Sequence, residues 1–329
     1  MKTEFDVVIA GAGIAGLTAG VVSARLGRKT LVLTGNLLGG QLLSIEKIEG
    51  YPGFPEGVAG YELCPATQEQ AAAAGAEFAA TELLALDAQE GKWRLATGEG
   101  DFLARAVIVA TGSALKELGI PNEARLRGKG VSHCASCDAP LLRDQVVAVV
   151  GGGDSALQEA LTLAQFASRV IILHRGAALS AQATYRERMA SHPRIEIRFN
   201  TVVEQILGEA TVTGVRTRDA ASGTTADLEL FAIFVYTGLQ PNSAFLEGHI
   251  GLDSSGRIPT DAWMRTGLAG VCAAGTVRSG SPCRAVISAG DGATAAIAVD
   301  RYLTEGSWRD RESEQLNVHA LADRAHAQR

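Results

Sequence analysis

Two cysteines three positions apart, Cys134 and Cys137, carry the clearest chemical signal in this sequence, and the carboxylic acid Asp138 follows the second directly. In a Cys-x-x-Cys pair one sulfur reaches the thiolate form more readily than an isolated cysteine, and the thiolate is the species that exchanges with disulfides. A carboxyl beside the pair is able to pass a proton to or from the departing thiolate. The spacing therefore predicts a redox dithiol in which Cys134, Cys137 and Asp138 are the catalytic residues.

The remaining cysteines do not extend this pair into a metal site. The sequence contains 5 cysteines and 6 histidines, and they show no further metal-ligand spacing. Zinc would require two more ligands at a suitable distance along the chain, so no metal is predicted. Cys64 is interpreted as a small buried hydrophobic residue, and whether Cys272 and Cys283 approach each other stays open.

A glycine-rich turn near the start of the chain predicts one dinucleotide site. The motif Gly11-x-Gly13-x-x-Gly16 follows an apolar strand at 5–10 and opens a helix predicted to end near Leu26, before a second strand at 30–33. Such glycines permit a tight turn, close approach of the backbone to a pyrophosphate and close packing of helix on strand. The start of the helix supplies N–H donors to the phosphate. The site residues predicted here are Gly11, Ala12, Gly13, Ile14, Ala15 and Gly16.

A second unit of the same kind follows the dithiol. An apolar strand at 146–150 leads into Gly151-x-Gly153-x-x-Ala156, a helix predicted to end near Phe166 and another strand at 170–173. This pattern predicts a second dinucleotide site. Its candidate residues are Gly151, Gly153, Asp154, Ser155 and Ala156, with His174 and Arg175 at the position where the 2′-phosphate of NADP would be recognised. One arginine stands there rather than a cluster, so the choice between NADPH and NADH stays open.

Composition limits the class of protein. The chain has 329 residues, of which 47% are hydrophobic and 20% charged, which indicates a well-cored globular protein with two domains. A net charge of -6 argues against a nucleic-acid partner. The sequence has no apolar run long enough to span a bilayer and enters a strand too early for a secretory signal. We therefore expect a cytoplasmic protein without nucleic-acid or membrane partners.

Taken together, these motifs resemble the low-molecular-weight thioredoxin reductase family of FAD flavoproteins. The resemblance runs through residues 5–303, and the dithiol in the inserted nicotinamide domain separates this family from other disulfide reductases. The matching motifs, in chain order, are residues 11–16, Gly40-Gln41-Leu42, Tyr51-Pro52-Gly53-Phe54, Ala110-Thr111-Gly112, residues 134–138, residues 151–156 and Ala273-Ala274-Gly275.

The resemblance implies an α/β fold with two Rossmann-like βαβ dinucleotide-binding domains, one inserted in the other. It places a discontinuous FAD domain at 1–113 and 240–303 and an NAD(P)H domain carrying the dithiol at 114–239. The composition of the remaining segment predicts a polar tail at 304–329. It also implies a homodimer. Beyond the first glycine turn, the FAD residues implied are Gly40, Gln41, Ala110, Thr111, Gly112, Gly275, Thr276, Arg284 and Ala285.

The same resemblance implies the roles of the dithiol residues. Cys137 would face the flavin, Cys134 would attack the partner disulfide and Asp138 would donate the proton. Electrons would pass from NADPH or NADH through FAD and the dithiol to a thioredoxin-like protein or a small-molecule disulfide.

Four positions depart from the family pattern. Thr276 replaces the usual Asp, Arg284-Ala285 the usual Arg-Gln, Gly50 an Asn in the loop, and Arg175-Gly176 a pair of arginines. These departures keep two alternatives open. One is a dithiol oxidase or ferredoxin-dependent reductase with a degraded NADPH site, in which the tail residue Trp308 could stack over the flavin. The other is a flavin redox sensor without turnover.

Overall fold

The computed structural model describes residues 3–308, and the chain divides into two compact units. The first unit is assembled from three stretches, namely the chain through Leu43, Lys47–Ser113 and the chain from Pro241 onward. The second unit contains Ser44–Glu46 and Ala114–Gln240. The second unit is therefore inserted in the sequence of the first. Of the predicted tail at 304–329, positions 309–329 lie outside the described residues.

In the first stretch of the chain, helices and strands alternate up to the third strand, and further strands follow. A short 3-10 helix at Gly40–Ser44 lies in the loop that precedes the second helix. In chain order the elements are β1 (Thr3–Ala10), α1 (Ile14–Arg25), β2 (Thr30–Leu33), α2 (Gly60–Ala73), β3 (Glu77–Ala79), β4 (Leu83–Gln89), β5 (Lys92–Thr97), β6 (Gly100–Val109) and β7 (Ser113–Leu115).

The second unit begins with the dithiol segment and continues through a second βαβ unit. Its elements are β8 (Val131–Ser132), α3 (Ala135–Asp138), β9 (Val146–Val150), α4 (Asp154–Leu163), β10 (Arg169–Leu173), α5 (Ala183–Ala190), β11 (Ile195–Arg198), β12 (Thr201–Leu207), β13 (Gly214–Asp219), β14 (Thr225–Glu229), β15 (Ala232–Val235) and β16 (Leu239–Pro241). The helix α4 ends at Leu163, slightly before the predicted end near Phe166.

The chain then returns to the first unit with β17 (Val271–Ala273) and α6 (Ala285–Glu305). The helix ends where Gly306 adopts a left-handed conformation with φ 72°. A glycine in this conformation terminates helices because it carries no Cβ that would clash.

Each unit is built on a sheet with a parallel core. In the first unit the strand order is β3-β2-β1-β6-β5-β4, and β17 pairs in parallel with the end of β6. The pairs β3–β2, β2–β1 and β1–β6 are parallel. The pairs β6–β5 and β5–β4 are antiparallel. In the second unit an all-parallel sheet runs β11-β10-β9-β15-β8, beside an antiparallel sheet of β12, β13 and β14. The predicted α/β class with two βαβ units is confirmed.

The central strands are continuous apolar runs because both of their faces are covered. All four residues of β2 and of β15 are buried, as are the last four residues of β9 and β10. Helix-covered parallel sheets require such runs, whereas a sheet with one wet face would alternate. This is why the apolar segments next to the glycine turns predicted strands correctly.

The helix α6 packs directly on α1 in the first unit, and one glycine makes this approach possible. A Cβ atom added at Gly292 would overlap the carbonyl oxygen of Ala15. Gly290, two residues earlier on the same helix, has no heavy atom near the position that its Cβ would take. The two glycines therefore differ in packing although they share a helix.

We expect opposite effects when each of these glycines is replaced by alanine. Gly292→Ala should lower the free energy of unfolding by about 1–3 kcal/mol, because the added methyl forces the helices apart. Gly290→Ala should raise it by about 0.5–1 kcal/mol, because alanine loses less backbone entropy in a helix. Urea unfolding of the two variants beside the parent protein measures both values. A shift in the same direction for both would contradict the packing argument.

Within residues 3–308, no helix combines the length and the apolar character that crossing a bilayer requires.

Candidate active site

The predicted dithiol is a disulfide at the start of a short helix. Cys134 and Cys137 are bonded, with their Cα atoms 5.4 Å apart. Cys134 lies between β8 and α3 with an extended backbone, and its sulfur accepts the N–H of Cys137 at 3.3 Å. Cys137 is the more exposed of the two, whereas Cys134 is half-buried. The strand-to-helix junction therefore holds both sulfurs in bonding geometry and leaves one of them accessible.

The third predicted catalytic residue, Asp138, is the last residue of α3 and is half-buried. Its carboxyl acts electrostatically on Tyr236, which follows β15. Burial is the main cause that raises the pKa of Tyr236, and the nearby carboxyl of Glu159 raises it further. The dithiol thus lies beside two carboxylic acids, of which the sequence motifs included only Asp138.

Glu159 is the member of this group that sequence reasoning missed. Its carboxyl accepts the N–H of Ala135, the first residue of α3, at 3.1 Å. A signal was present in the sequence, since helical spacing places this acid on the same face as Ala156 and Leu163, which are both buried. An acid within an apolar helix face requires a partner, and here the partner is the backbone of the dithiol segment.

The first glycine turn has the shape of a phosphate cradle. Gly11 has φ 109°, and a Cβ atom there would overlap the carbonyl oxygen of Ala110. A Cβ at Gly16 would overlap the carbonyl oxygen of Gly11, whereas Gly13 faces open space. The helix α1 starts without a capping side chain and without an acid in its first turn. Its first N–H groups are therefore suited to an anion such as a pyrophosphate.

Other predicted FAD residues gather at the same edge of this sheet. Ala110, Thr111 and Gly112 follow β6, and the amide of Ala110 donates to the carbonyl of Ala10 at 2.8 Å. Gly39 donates to the carbonyl of Ala12 at 2.9 Å, which places the neighbouring Gly40 and Gln41 beside the first turn. The carboxyl ends of parallel strands are where nucleotides bind in this class of sheet.

Gly275 and Thr276 follow β17 at this edge as well. The Cβ of Ala15 lies 3.0 Å from the position that a Cβ of Gly275 would take, so the turn touches α1. The hydroxyl of Thr276 lies 3.0 Å from that of Ser113. Arg284 and Ala285 begin α6, and Ser288 on its first turn lies close to Gly275. The first unit thus brings most of the predicted FAD residues together.

A buried ion pair supports this turn, and the sequence motifs did not predict it. The carboxyl of Asp291 on α6 accepts two hydrogen bonds from the Arg278 guanidinium, at 2.6 and 2.8 Å. It also accepts the N–H of Gly275 at 3.1 Å. The acid that the family usually carries at the position of Thr276 is absent, and Asp291 instead fixes the turn from the neighbouring helix.

The second glycine turn has a similar backbone but a different surrounding. Gly151 has φ 148°, and a Cβ at Gly152 would overlap the ring of His174. The ring of His174 is also bonded to the carbonyl of Ala178 at 2.9 Å, so it is packed into the turn. Arg175 is exposed at the end of β10. The carboxylate of Asp154 accepts the backbone and side-chain N–H groups of Gln182, at 2.7 and 2.6 Å.

The other three cysteines are free. Cys64 is buried as predicted, and burial raises the pKa of its thiol to about 11. Cys272 is buried in β17, whereas Cys283 is exposed with its sulfur 3.7 Å from the Arg257 guanidinium. Cys272 and Cys283 are not bonded to each other. Among residues 3–308, no three His, Cys, Asp or Glu side chains meet in a way that would hold a metal ion.

The structure does not place Trp308 beside the predicted flavin residues Arg284 and Ala285 of its own chain. Its indole N–H donates to the carbonyl of Thr266 at 3.2 Å, and its ring meets Tyr302 edge-on at 5.1 Å. Tyr302 lies in the last turn of α6, whereas the predicted FAD residues Arg284 and Ala285 are at its first. A helix of 21 residues is about 30 Å long. Trp308 is therefore held far from the predicted flavin residues.

Comparison with known proteins gives a consistent result. The model of the family described as pyridine nucleotide-disulphide oxidoreductase matches residues 5–292. The thioredoxin reductase of Treponema pallidum is 39% identical over 303 residues, which cover 92% of this chain and 98% of the relative. The crystal structure of Lactococcus lactis thioredoxin reductase superposes with a TM-score of 0.89 at 35% identity, covering 92% of this chain and 99% of that one. That of T. acidophilum thioredoxin reductase gives 0.88 at 31% identity, covering 92% and 100%.

Proposed function

This chain belongs to the thioredoxin reductase family of pyridine nucleotide-disulphide oxidoreductases, and from that premise we propose that it reduces the disulfide of a thioredoxin-like protein. The membership confirms the resemblance drawn from the motifs, and the enzyme is an oxidoreductase that acts on a sulfur group. Electrons pass from a nicotinamide nucleotide through FAD to the dithiol and then to the substrate. The observation that carries the proposal is the Cys134–Cys137 disulfide at the start of α3.

The dithiol chemistry follows from the two sulfurs and the acid beside them. In the reduced enzyme the Cys134 thiolate attacks one sulfur of the substrate disulfide, which forms a mixed disulfide and releases one substrate thiolate. Cys137 then attacks the sulfur of Cys134, restores the enzyme disulfide and releases the second substrate thiolate. Asp138 supplies a proton to a departing thiolate. One substrate disulfide becomes two thiols while one enzyme dithiol becomes a disulfide, so the exchange is balanced.

We assign the first glycine turn to FAD and the second to the nicotinamide nucleotide. The uncapped start of α1 and the open space at Gly13 support the FAD site. When bound, FAD supplies a two-electron carrier between the nicotinamide and the disulfide. We favour NADPH as the donor on the basis of the family. NADH is the competing candidate, because Arg175 is followed by Gly176 rather than by a second guanidinium.

The family resemblance further supports a cytoplasmic homodimer. Light scattering of the purified protein would test the assembly.

An anaerobic titration of the yellow protein tests this function. We expect NADPH to bleach the flavin absorbance, and we expect the reduced enzyme to turn over with thioredoxin. NADH should bleach at a higher concentration, with about tenfold weaker apparent affinity for each charge-assisted contact that it lacks. Bleaching by dithiols but by neither nucleotide would instead support the dithiol oxidase or ferredoxin-dependent alternative. Turnover with any disulfide would exclude a sensor without turnover.

A further inference from the structure

The buried acid Glu159 has no part in the proposed exchange reaction. Its side chain is 9% exposed, and it lies on the face of α4 that packs into the core of the second unit. Burying a carboxyl is unfavourable unless it gains a partner that replaces water. The helix α4 begins at the second glycine turn. A contact made by the Glu159 carboxyl therefore connects this proposed nucleotide-binding helix to another part of the unit.

That contact is the backbone of the dithiol. The N–H of Ala135, between Cys134 and Ser136, donates to the Glu159 carboxyl at 3.1 Å. Ala135 is fully buried, so water has no access to replace this acceptor. Losing it would leave a buried N–H group unpaired, which is costly. Glu159 therefore fixes the chain next to the sulfur of Cys134.

Among residues 3–308, the groups that shift the pKa of Glu159 come from several elements, and none of these groups is positively charged. Burial is the largest cause that raises the pKa of Glu159, and the carboxyl of Glu46 in the segment 44–46 raises it further. The Ala135 N–H and the Tyr236 hydroxyl lower it. The Tyr236 hydroxyl is itself buried, so no water competes for its effect on the Glu159 carboxyl. From α3, Asp138 acts on Tyr236 in turn.

We propose that Glu159 is a positioning residue for the dithiol, which holds the backbone at Ala135 and opposes thiolate formation once its own carboxyl is ionised. The proposal rests on the proposed function, because it takes Cys134–Cys137 as the dithiol that turns over. Two like charges destabilise each other, and the hydrogen bond to Ala135 places the Glu159 carboxyl against the dithiol segment. An ionised Glu159 therefore favours the thiol over the thiolate, whereas a neutral Glu159 does not.

This effect would make the dithiol a better reductant. Reduction of the Cys134–Cys137 disulfide takes up two electrons and two protons and gives two thiols. A dithiol whose thiolate is strongly stabilised holds its electrons and is a poor reductant. By opposing the thiolate, Glu159 favours transfer of the electrons to the substrate disulfide. An acid at this position thus suits an enzyme that reduces disulfides rather than one that forms them.

The substitution Glu159→Gln separates the charge from the contact. The glutamine oxygen can still accept the Ala135 N–H, and the side-chain volume is preserved, so the main change is the loss of the negative charge. In the flavin-bound enzyme reduced with dithiothreitol, we expect the pH midpoint of cysteine alkylation to fall by about one unit. Above that midpoint, the equilibrium with dithiothreitol should shift about tenfold toward the reduced enzyme, which corresponds to about 30 mV.

Two further variants complete the experiment. Glu187→Gln removes an exposed carboxyl from α5 in the same unit and should leave the midpoint unchanged. Tyr236→Phe removes a group that stabilises the Glu159 anion, so it should move the midpoint in the same direction as Glu159→Gln but by less. If Glu159→Gln is unstable, the Tyr236→Phe result decides the question. Alkylation midpoints equal to that of the parent enzyme in both Glu159→Gln and Tyr236→Phe would overturn the proposal.

Stability against pH gives an independent readout. Since the pKa of Glu159 is raised above its ordinary value of 4.5, the folded protein binds this proton more tightly than the unfolded chain. The contribution to stability is therefore complete below pH 4.5 and is lost as the pH rises through the folded value. In Glu159→Gln, the urea midpoint should not show this decrease as the pH rises, because glutamine does not titrate. None of these measurements uses NADPH or thioredoxin, so a failure of the thioredoxin assay would leave the result for Glu159 standing.

Discussion

Replacing Cys134 or Cys137 by serine is expected to lower kcat/KM for a disulfide substrate by roughly 10³-fold or more. A serine hydroxyl is far less acidic than a thiol and forms no disulfide, so the exchange reaction loses its nucleophile or its resolving group. Flavin reduction by the nicotinamide nucleotide should persist, because neither sulfur takes part in it. Stopped-flow bleaching of the flavin and steady-state thioredoxin reduction measure the two steps separately.

The two variants should also differ from each other. If Cys134 attacks the substrate, Cys137→Ser keeps the attacking thiol but lacks the resolving thiol, and it should trap a mixed disulfide with thioredoxin. Cys134→Ser should trap none. Cys283→Ser, which changes an exposed cysteine outside the dithiol, is the matched control and should retain turnover. Trapping by Cys134→Ser but not by Cys137→Ser would reverse the proposed roles.

Removing the buried acid of α6 is expected to have the largest effect on stability. In Asp291→Ala the Arg278 guanidinium, whose side chain is 14% exposed, loses its partner, and the N–H of Gly275 loses its acceptor. An uncompensated buried charge lowers the free energy of unfolding by about 3–5 kcal/mol. Urea unfolding followed by circular dichroism measures this loss. Flavin fluorescence should report release of the cofactor at lower urea, because Gly275 belongs to the proposed FAD turn.

An exposed ion pair of the same chemistry provides the control. Asp227 accepts two hydrogen bonds from Arg216, at 2.8 and 2.9 Å, and side-chain exposures of 45% for Arg216 and 50% for Asp227 leave both in solvent. Water screens such a pair and replaces a lost partner. Asp227→Ala should therefore unfold close to the urea midpoint of the parent protein. Equal losses in Asp227→Ala and Asp291→Ala would show that burial does not govern the contribution of the Arg278 pair.

Features that depend on short sequence spacing could be predicted without the structure. The two glycine turns, the apolar strands before them and the helices after them are local patterns, in which each residue acts on near neighbours along the chain. The Cys134–Cys137 pair is local as well, because three positions suffice to bring the sulfurs together at the start of a helix. Sequence alone therefore determined the α/β class, the family and the dithiol.

Features that join distant parts of the chain were decided only by tertiary packing. The contact of Glu159 with Ala135, the pair of Asp291 with Arg278 and the approach of Gly292 to Ala15 each depend on how separate elements meet. The position of Trp308 is of the same kind, since packing on Tyr302 places it at the far end of α6. A residue's type shows what it can bond, but only the folded chain brings a partner close enough to exclude water. That is why the sequence indicated the reacting groups, while the structure revealed the residues that hold and tune them.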